Sequence, residues 1–311
     1  MARKLVNTKA MPYEEWLELR RHSIGGSEAG ALLGLNPYAS SLTLYLDKKG
    51  LSKPKETNEA MRIGTDLEEY VAKRFEEKTG KKVRKDNFMY MHDEYDFITA
   101  NVDREIVGEN AGLECKTMSS FNNYDLEGGE VPAYYFSQCQ HYMAVKGYER
   151  MYLAVLVFQK GIFINTIERN EEFIKGMIEA EIRFWTENIE KNQMPAPDGS
   201  EASTDALNEL YPESTARSIA LPNADALIRE YLSISTKIKE LKEKQTEIKN
   251  RLCARLGDAE SGEDTHYKCS WKSQVSSRVD TDKLKKKFPD IYNNVLKKSE
   301  SRVFRAKEIK R

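Results

Sequence analysis

Hydrophobic residues in the first 80 positions recur at helical spacing. The pattern predicts four helices, over residues 12–21, 28–33, 41–49 and 60–78. The longest of them ends at Gly80, a residue type that commonly terminates helices, and Gly25-Gly26 interrupts the pattern between the first two. The chain therefore begins with a helical region.

After Gly80 the apolar positions shorten into runs typical of strands. Three runs, over 83–91, 96–107 and 112–118, predict a three-stranded meander. A helix over 131–145, a hairpin formed by 151–159 and 162–168, and an amphipathic helix over 171–191 are predicted to follow. This order predicts an α/β (α+β) core in which helices flank a mixed sheet.

Residues 193–204, rich in Pro, Gly, Ser and Thr, predict an exposed linker. We therefore expect a core domain at 1–192 and an accessory domain at 205–311. In the accessory domain the pattern predicts a helix over 225–256, a hairpin of 265–272 and 274–279, a basic helix over 281–288 and an extended stretch at 301–307. The apolar face of the long helix comprises Leu227, Tyr231, Ile234, Ile238, Leu241, Ile248 and Leu252.

Composition adds a charge asymmetry to this picture. Of 311 residues, 40% are hydrophobic and 32% charged, and no signal peptide or membrane span is recognisable, so we expect a cytoplasmic protein without a membrane partner. Residues 217–311 carry 23 Lys and Arg against 14 Asp and Glu, whereas the preceding residues are net acidic. Carboxylates that hold a metal and lysines that hold phosphate would produce such a division. The four cysteines are too widely spaced to predict disulfides, a zinc site or an iron–sulfur cluster.

The clearest chemical pattern is Asp103 followed eleven positions later by Glu114-Cys115-Lys116. Alternation along a strand puts Glu114 and Lys116 on one face, and a hairpin brings Asp103 opposite them. Two carboxylates and a lysine suit Mg²⁺ and the hydrolysis of a phosphodiester. A solvent-exposed charged hairpin would match the same short pattern.

Further candidates surround this hairpin. Glu68 lies on the helix that precedes the sheet, where it either adds a carboxylate or is an ordinary surface residue. Ser27, predicted as a helix N-cap, forms with Arg20 either an anion site or a plain cap. Gln138 and His141 share a helix face, on which we expect Gln138 to reach the site and His141 to be structural.

The segment that carries these residues resembles the YqaJ-type viral recombinase nucleases, which are related to lambda exonuclease within the PD-(D/E)xK superfamily. Five ordered blocks within about residues 12–190 carry the resemblance, and they begin RRHSIGGSEAG, RIGTDLEEY, ANVDREI, GLECKTMS and VPAYYFSQCQ. It implies a restriction-endonuclease-like fold and a family-type tail over 217–311. Val102 stands where the superfamily pattern usually has proline.

The resemblance also implies residue roles. Asp103 and Glu114 match the metal-binding carboxylates, Lys116 the catalytic lysine and Glu68 a further carboxylate of the site. Gln138 and Gln140 match a Q-x-Q block that borders the active site. Arg20, Ser27 and Asn101 fall where lambda exonuclease binds the 5′ phosphate, although Asn101 replaces a serine there. Asp93 matches another acidic position, for which Asp96 is an alternative.

The activity implied is a Mg²⁺-dependent double-strand DNA exonuclease, with Mn²⁺ as a substitute, that resects 5′ ends and leaves 3′ single strands. The expected partners are duplex DNA ends, a RecT-like or beta-like single-strand annealing protein of a phage or prophage system, and further copies of the chain, in a trimeric ring by analogy. Two alternatives stay open: a restriction-like or structure-selective endonuclease that uses the same residues, and a nucleic-acid-binding recombination protein whose nuclease site is idle.

Overall fold

In the computed structural model, residues 3–53, 58–120, 124–297 and 301–309 are described. They form two units, and the chain passes from the first to the second between Tyr211 and Pro212. The helices of the first unit are α1 (Tyr13–Arg21), α2 (Gly26–Leu32), α3 (Ser41–Lys48), α4 (Glu59–Thr79), α5 (Ala133–Lys146), α6 (Glu171–Arg183) and α7 (Glu201–Leu210). α6 continues as a π-helix over Phe184–Glu190.

The strands of the first unit are β1 (Arg3–Asn7), β2 (Ile24–Gly25), β3 (Val83–Lys85), β4 (Phe88–Met91), β5 (Ile98–Ala100), β6 (Arg104–Ile106), β7 (Ala111–Met118), β8 (Arg150–Val157) and β9 (Gly161–Glu168). They form a sheet in the order β1-β4-β5-β2 and a sheet in the order β3-β6-β7-β8-β9. The β2–β5 and β7–β8 pairs are parallel, and the others are antiparallel. The predicted fold class, a mixed sheet flanked by helices, is confirmed.

The predicted three-stranded meander is wrong, because the chain changes sheets twice within it. The run over 83–91 divides into β3 and β4, and the run over 96–107 divides into β5 and β6. At the first crossing the side chain of Asp86 accepts a hydrogen bond from the Phe88 amide over 3.2 Å, and this turn ends the ladder. Residues 101–103 form the second crossing, outside any strand.

Helices α5 and α4 cover opposite faces of the five-stranded sheet. On the α5 side the core includes Met143, Leu153 and Met118. On the α4 side Phe75 packs with Leu113 and other alternate residues of β7. α5 also contacts β4 and β5, so it joins the two sheets and is buried along most of its length. This double contact explains why the sequence of α5 lacks a clear polar face.

The end of the first unit differs from the predicted linker. Residues 201–210 form α7, and Ser203 and Ala206 on this helix are buried. The hydroxyl of Ser203 donates to that of Ser40 over 2.9 Å, which attaches α7 to the start of α3. Because of these contacts the division lies at 211/212 rather than in 193–204.

The second unit contains α8 (Asp225–Leu256), β10 (Ser261–Glu263), β11 (Lys268–Ser270), α9 (Thr281–Lys287) and α10 (Pro289–Val295). The predicted long helix is confirmed with the predicted bounds. The hairpin lies earlier than predicted, because the carboxylate of Asp264 accepts hydrogen bonds from the amides of His266 and Tyr267 and so forms the turn there. Residues 271–280 form neither helix nor strand.

We call the seven apolar residues of α8 the α8 stripe. Each is between 43% and 70% exposed. They are Leu227, Tyr231, Ile234, Ile238, Leu241, Ile248 and Leu252. Among the helices of the described ranges, none combines the length and apolar composition needed to cross a membrane.

Candidate active site

Two acidic side chains meet where β6 pairs with β7. The antiparallel register sets Arg104 opposite Leu113, so Asp103, one residue earlier, lies beside Glu114. The backbone N–H of Cys115 donates to Asp103 Oδ2 over 2.9 Å and fixes that carboxylate on β7. Burial and the nearby charge of Glu114 raise the pKa of Asp103 well above its usual range. The structure thus brings the predicted carboxylate pair together.

Lys116 completes the cluster from the same face of β7. Its Nζ lies 2.6 Å from Glu114 Oε1 and 5.4 Å from the centre of the Tyr135 ring. Burial disfavours the lysine charge, but the carboxylates of Glu114 and Asp103 outweigh burial and raise the pKa of Lys116. Lys116 is therefore a cation that can balance negative charge at the site.

Gln138 orients Glu114 from α5. Its Nε2 donates to Glu114 Oε1 over 2.6 Å and lies 2.8 Å from the hydroxyl of Tyr142. The ring of Tyr142 packs against Gly26, where an added Cβ would lie 2.5 Å from a ring carbon. Glycine is required at this position because of that close approach. One row of contacts thus leads from the carboxylate pair to the start of α2.

Arg20 and Ser27 lie at the start of α2, in contact with each other. Arg20 Nη2 donates to the hydroxyl of Ser27 and to Glu28 Oε1, each over 2.9 Å. Lys48 Nζ, whose side chain is 1% exposed, also donates to Glu28 over 2.9 Å. The Arg20 guanidinium therefore lies in a fixed orientation beside a hydroxyl.

The predicted capping role of Ser27 is wrong. α2 begins one residue before Ser27, and Gly25 is the N-cap. The carboxylate of Glu28, at the third position of the helix, accepts the Gly25 N–H over 2.8 Å, so the start of α2 is fixed without a hydrogen bond from Ser27. The hydroxyl of Ser27 is consequently available to Arg20.

The structure separates Asp93 from Asn101. Asn101 directly follows β5, two positions before Asp103, and its Nδ2 donates to the carbonyl of Phe88 over 3.3 Å. Asp93 lies in the loop that joins β4 to β5, at the other end of these strands. The hairpin therefore places Asn101 near the carboxylate pair and Asp93 away from it.

Glu68 approaches from the α4 side of the sheet. Its Oε1 accepts a hydrogen bond from Arg104 Nη1 over 2.6 Å, and Lys85 Nζ lies 3.7 Å away. Arg104 pairs with Leu113, which packs on the α4 side, and so it faces α4, whereas Asp103 lies beside Glu114. Glu68 and Asp103 line one groove, but the carboxylate of Glu68 already forms an ion pair with Arg104.

Gln140 and His141 connect structural elements rather than touch the carboxylates. Gln140 accepts the amide of Asn170 over 2.9 Å and donates to the carbonyl of Glu168 over 2.8 Å, which fixes the start of α6. His141 bonds Glu181 and the carbonyl of Thr99, each over 2.8 Å. The structural role predicted for His141 agrees with these contacts.

The donor set at the carboxylate pair fits a divalent cation. Glu114 Oε2 is buried and, within the described residues, has no hydrogen-bond partner. A buried carboxylate oxygen in that state is costly unless a cation satisfies it. No group of three or more acidic, His or Cys residues with metal-ligand geometry occurs in the ranges described. A pair suffices for Mg²⁺, which binds through one or two carboxylates together with water and substrate phosphate.

Four residues of this region were not predicted from the sequence: Tyr142 as a contact of Gln138, Glu28 and Lys48 as supports of Arg20, and Arg104 as the partner of Glu68. A weak signal existed for two of them. Lys48 interrupts the apolar face of α3, and Arg104 follows the candidate Asp103 directly on a buried strand.

The chain is similar in sequence and in fold to several known proteins. Residues 15–149 match the family model described as YqaJ-like viral recombinase domain. A Bacillus subtilis (strain 168) protein described as uncharacterized protein YqaJ is 42% identical over 313 aligned residues, which cover 99% of this chain and 98% of the relative. The crystal structure of an alkaline exonuclease (LHK-Exo) from Laribacter hongkongensis aligns with 57% of this chain and 93% of its own, at 20% identity and a TM-score of 0.47. For a phage related exonuclease from Haemophilus somnus 129PT the coverage is 55% and 96%, the identity 17% and the TM-score 0.43.

Proposed function

The chain belongs to the YqaJ-like viral recombinase family, a family of DNA nucleases, and we propose that it is a Mg²⁺-dependent double-strand DNA exonuclease that resects 5′ ends. The observation that carries this proposal is the meeting of Asp103, Glu114 and Lys116 around the buried Glu114 Oε2. A phosphodiester hydrolase needs such a combination of anionic ligands and a cationic side chain.

Asp103 and Glu114 would hold the cation, and the Cys115 amide and Gln138 keep the two carboxylates in position. When bound, Mg²⁺ supplies Lewis-acid polarisation of the scissile phosphate. Lys116 Nζ lies 2.6 Å from Glu114 Oε1, and as a cation it would stabilise negative charge that builds up on the phosphate oxygens and orient the attacking water.

The 5′ end of the resected strand would be held by Arg20, Ser27 and Asn101. Arg20 and Ser27 already share a hydrogen bond, and a terminal phosphate would accept charge-assisted hydrogen bonds from the same guanidinium. Glu28 and Lys48 fix the orientation of Arg20. Buried contacts of Gly26 with Tyr142 and of Tyr142 with Gln138 connect this pocket to the carboxylate pair, so the same packed residues position both.

Beyond the chain itself, we propose duplex DNA ends as the substrate, a RecT-like or beta-like annealing protein as a partner that receives the 3′ strand, and an oligomer of this chain as the working form. A trimeric ring is the arrangement to test first by sedimentation. A pull-down from cells that express both proteins tests the annealing partner.

Replacing Lys116 by Ala tests the catalytic assignment. We expect K116A to lose at least about a thousandfold in cleavage rate while duplex binding stays within a few fold, since one lysine supplies few of the backbone contacts. Lys85→Ala is the matched control, because Lys85 is 59% exposed and lies on the Glu68 side of the same groove. Cleavage by K116A within tenfold of the wild type would remove this lysine from the mechanism.

Polarity and substrate form separate the proposal from its alternative. Linear duplexes labelled at either the 5′ or the 3′ terminus should release label from the 5′ terminus first, and only when Mg²⁺ or Mn²⁺ is added. Covalently closed circles should resist digestion. Cutting of closed circles would favour the restriction-like or structure-selective endonuclease that uses the same three residues.

A further inference from the structure

The α8 stripe follows a seven-residue repeat. Leu227, Ile234, Leu241 and Ile248 recur every seven positions, and Tyr231, Ile238 and Leu252 fall on the second line of the same repeat. Two apolar lines at this spacing form the contact seam of a coiled coil, because they stay on one side of a slightly supercoiled helix. A surface helix that packs on a globular core shows a broader apolar face with a period nearer 3.6.

The stripe is long enough for a stable helical partner. α8 has 32 residues, which corresponds to a length of about 48 Å. Ile238 and Ile248, near its middle, are 46% and 50% exposed. Repeats sustained over about three to four heptads are those that form coiled coils.

Charge beside the stripe indicates what kind of helix fits it. The positions that flank a coiled-coil seam between 237 and 249 are all lysines, which we call the lysine flank. Its members are Lys237, Lys242, Lys244 and Lys249, all exposed. The acidic residues of the same stretch, Glu240, Glu243 and Glu247, lie outside the flanking positions. Positive charge is thus concentrated at the edge of the apolar surface.

A second copy of α8 would bring lysines together in either orientation. In a parallel pair Lys237 would face Lys242 of the other copy, and Lys244 would face Lys249. In an antiparallel pair each set of flanking lysines would face itself. Like charges at these positions disfavour pairing. The lysine flank therefore argues against self-association through this surface.

We infer that the α8 stripe and lysine flank form a docking surface for an acidic amphipathic helix of a partner protein. Apolar residues of the partner would enter the seam, and its glutamates or aspartates would face the lysines. Gln245 occupies a seam position and would fix the register against a polar residue of the partner. The inference is independent of the proposed nuclease activity.

A pair of synthetic peptides tests this surface on the full-length protein. Both are four-heptad helices with leucine in the seam and one asparagine opposite Gln245; one carries glutamate at the flanking positions and the other lysine. Fluorescence anisotropy should detect binding of the glutamate peptide alone, and the binding should weaken as salt is raised. Equal binding of the two peptides, or binding of neither, would overturn the inference.

Matched variants assign the binding to the seam. Ile238→Asp should lower the affinity for the glutamate peptide about tenfold or more, because it places a charge in the apolar contact. Thr236→Asp adds the same charge on the outer face of α8 and should change binding less than about twofold. Replacing the lysine flank by glutamates should reverse the preference, so that the lysine peptide binds. A gain of binding cannot arise from unfolding.

Two other occupants give distinct results. If Ile238→Asp lowers the sedimentation coefficient of the protein and Thr236→Asp does not, a second copy occupies the stripe and the inference is refuted. If duplex DNA displaces the glutamate peptide and Ile238→Asp leaves both affinities unchanged, the surface is a phosphate-binding one and the inference is again refuted. Neither sedimentation nor peptide displacement depends on nuclease activity, so failure of the proposed function would not produce these outcomes.

Discussion

Gln138 and Gln140 stand two positions apart on α5, both buried, and replacing each by Met separates a catalytic support from a structural one. Met has a similar volume but cannot replace the amide. Gln138→Met removes a hydrogen bond to the Glu114 carboxylate and another to the Tyr142 hydroxyl. Gln140→Met removes two hydrogen bonds to the backbone at the start of α6.

The two variants should lose similar stability. A hydrogen bond to a charged group contributes about 1.5–3 kcal/mol and a neutral one about 0.5–1.5 kcal/mol, so Gln138→Met should cost about 2–4.5 kcal/mol. Gln140→Met leaves a buried amide and a carbonyl without partners, and this costs about the same. Urea unfolding in EDTA measures both values.

Their catalytic effects should differ. Removal of a residue that orients a metal ligand typically costs about 10–100-fold in metal affinity or activity. Gln138→Met should therefore lower kcat/KM by that factor and shift the Mg²⁺ dependence to higher concentration. Gln140→Met, assayed well below its Tm, should stay within about threefold of the wild type. Equal losses in both variants, or an unchanged Mg²⁺ dependence in Gln138→Met, would refute the orienting role of Gln138.

Three further predictions follow from the site and the second unit. Asp103→Asn should abolish cleavage yet raise the Tm of the metal-free protein at neutral pH. Because the pKa of Asp103 is raised in the folded state, its stabilising contribution is complete below the unfolded-state pKa and is lost as the pH rises through the folded-state pKa. Thermal melts in EDTA should therefore show wild-type stability falling towards pH 7 but little such fall in the variant. Arg20→Ala should slow resection of 5′-phosphorylated ends more than 5′-hydroxyl ends in a direct rate comparison, and equal slowing would exclude a phosphate-specific role. Replacing the basic residues of α9, Lys283, Lys285, Lys286 and Lys287, by Gln should reduce the log–log salt slope of duplex binding by about 0.9 for each DNA phosphate that is no longer bound, and an unchanged slope would direct the search to a protein partner.

The sequence predicted α4 and α8 well because their signals are local, whereas α7 and α10 were not predicted. α4 begins where Asn58 accepts the amide of Met61 over 2.9 Å and ends at Gly80, whose φ of 71° suits glycine. α8 was likewise predicted to the residue. Sheet membership was not predictable, because strand patterns do not state which strand pairs with which, and the crossings at 86–87 and 101–103 depend on tertiary contacts.

The site residues divide in the same way. Strand alternation correctly predicted that Glu114 and Lys116 share a face. The ion pair of Glu68 with Arg104 could not be predicted, because it depends on which face of the sheet α4 covers. Gln138 and Gln140 lie in different surroundings, because side chains two residues apart on a helix point in nearly opposite directions.

The second crossing between sheets limits which changes of chain length the molecule tolerates. Residues 101–103 connect β5 in one sheet to β6 in the other, so these two strands together fix the position of Asp103. One inserted residue there would shift β6 by a single position and turn its side chains to the opposite face. The turn at 158–160, between β8 and β9, joins adjacent strands of one sheet and can lengthen without such a shift. Insertions and deletions in natural variants should therefore accumulate at 158–160 and be excluded from 101–103.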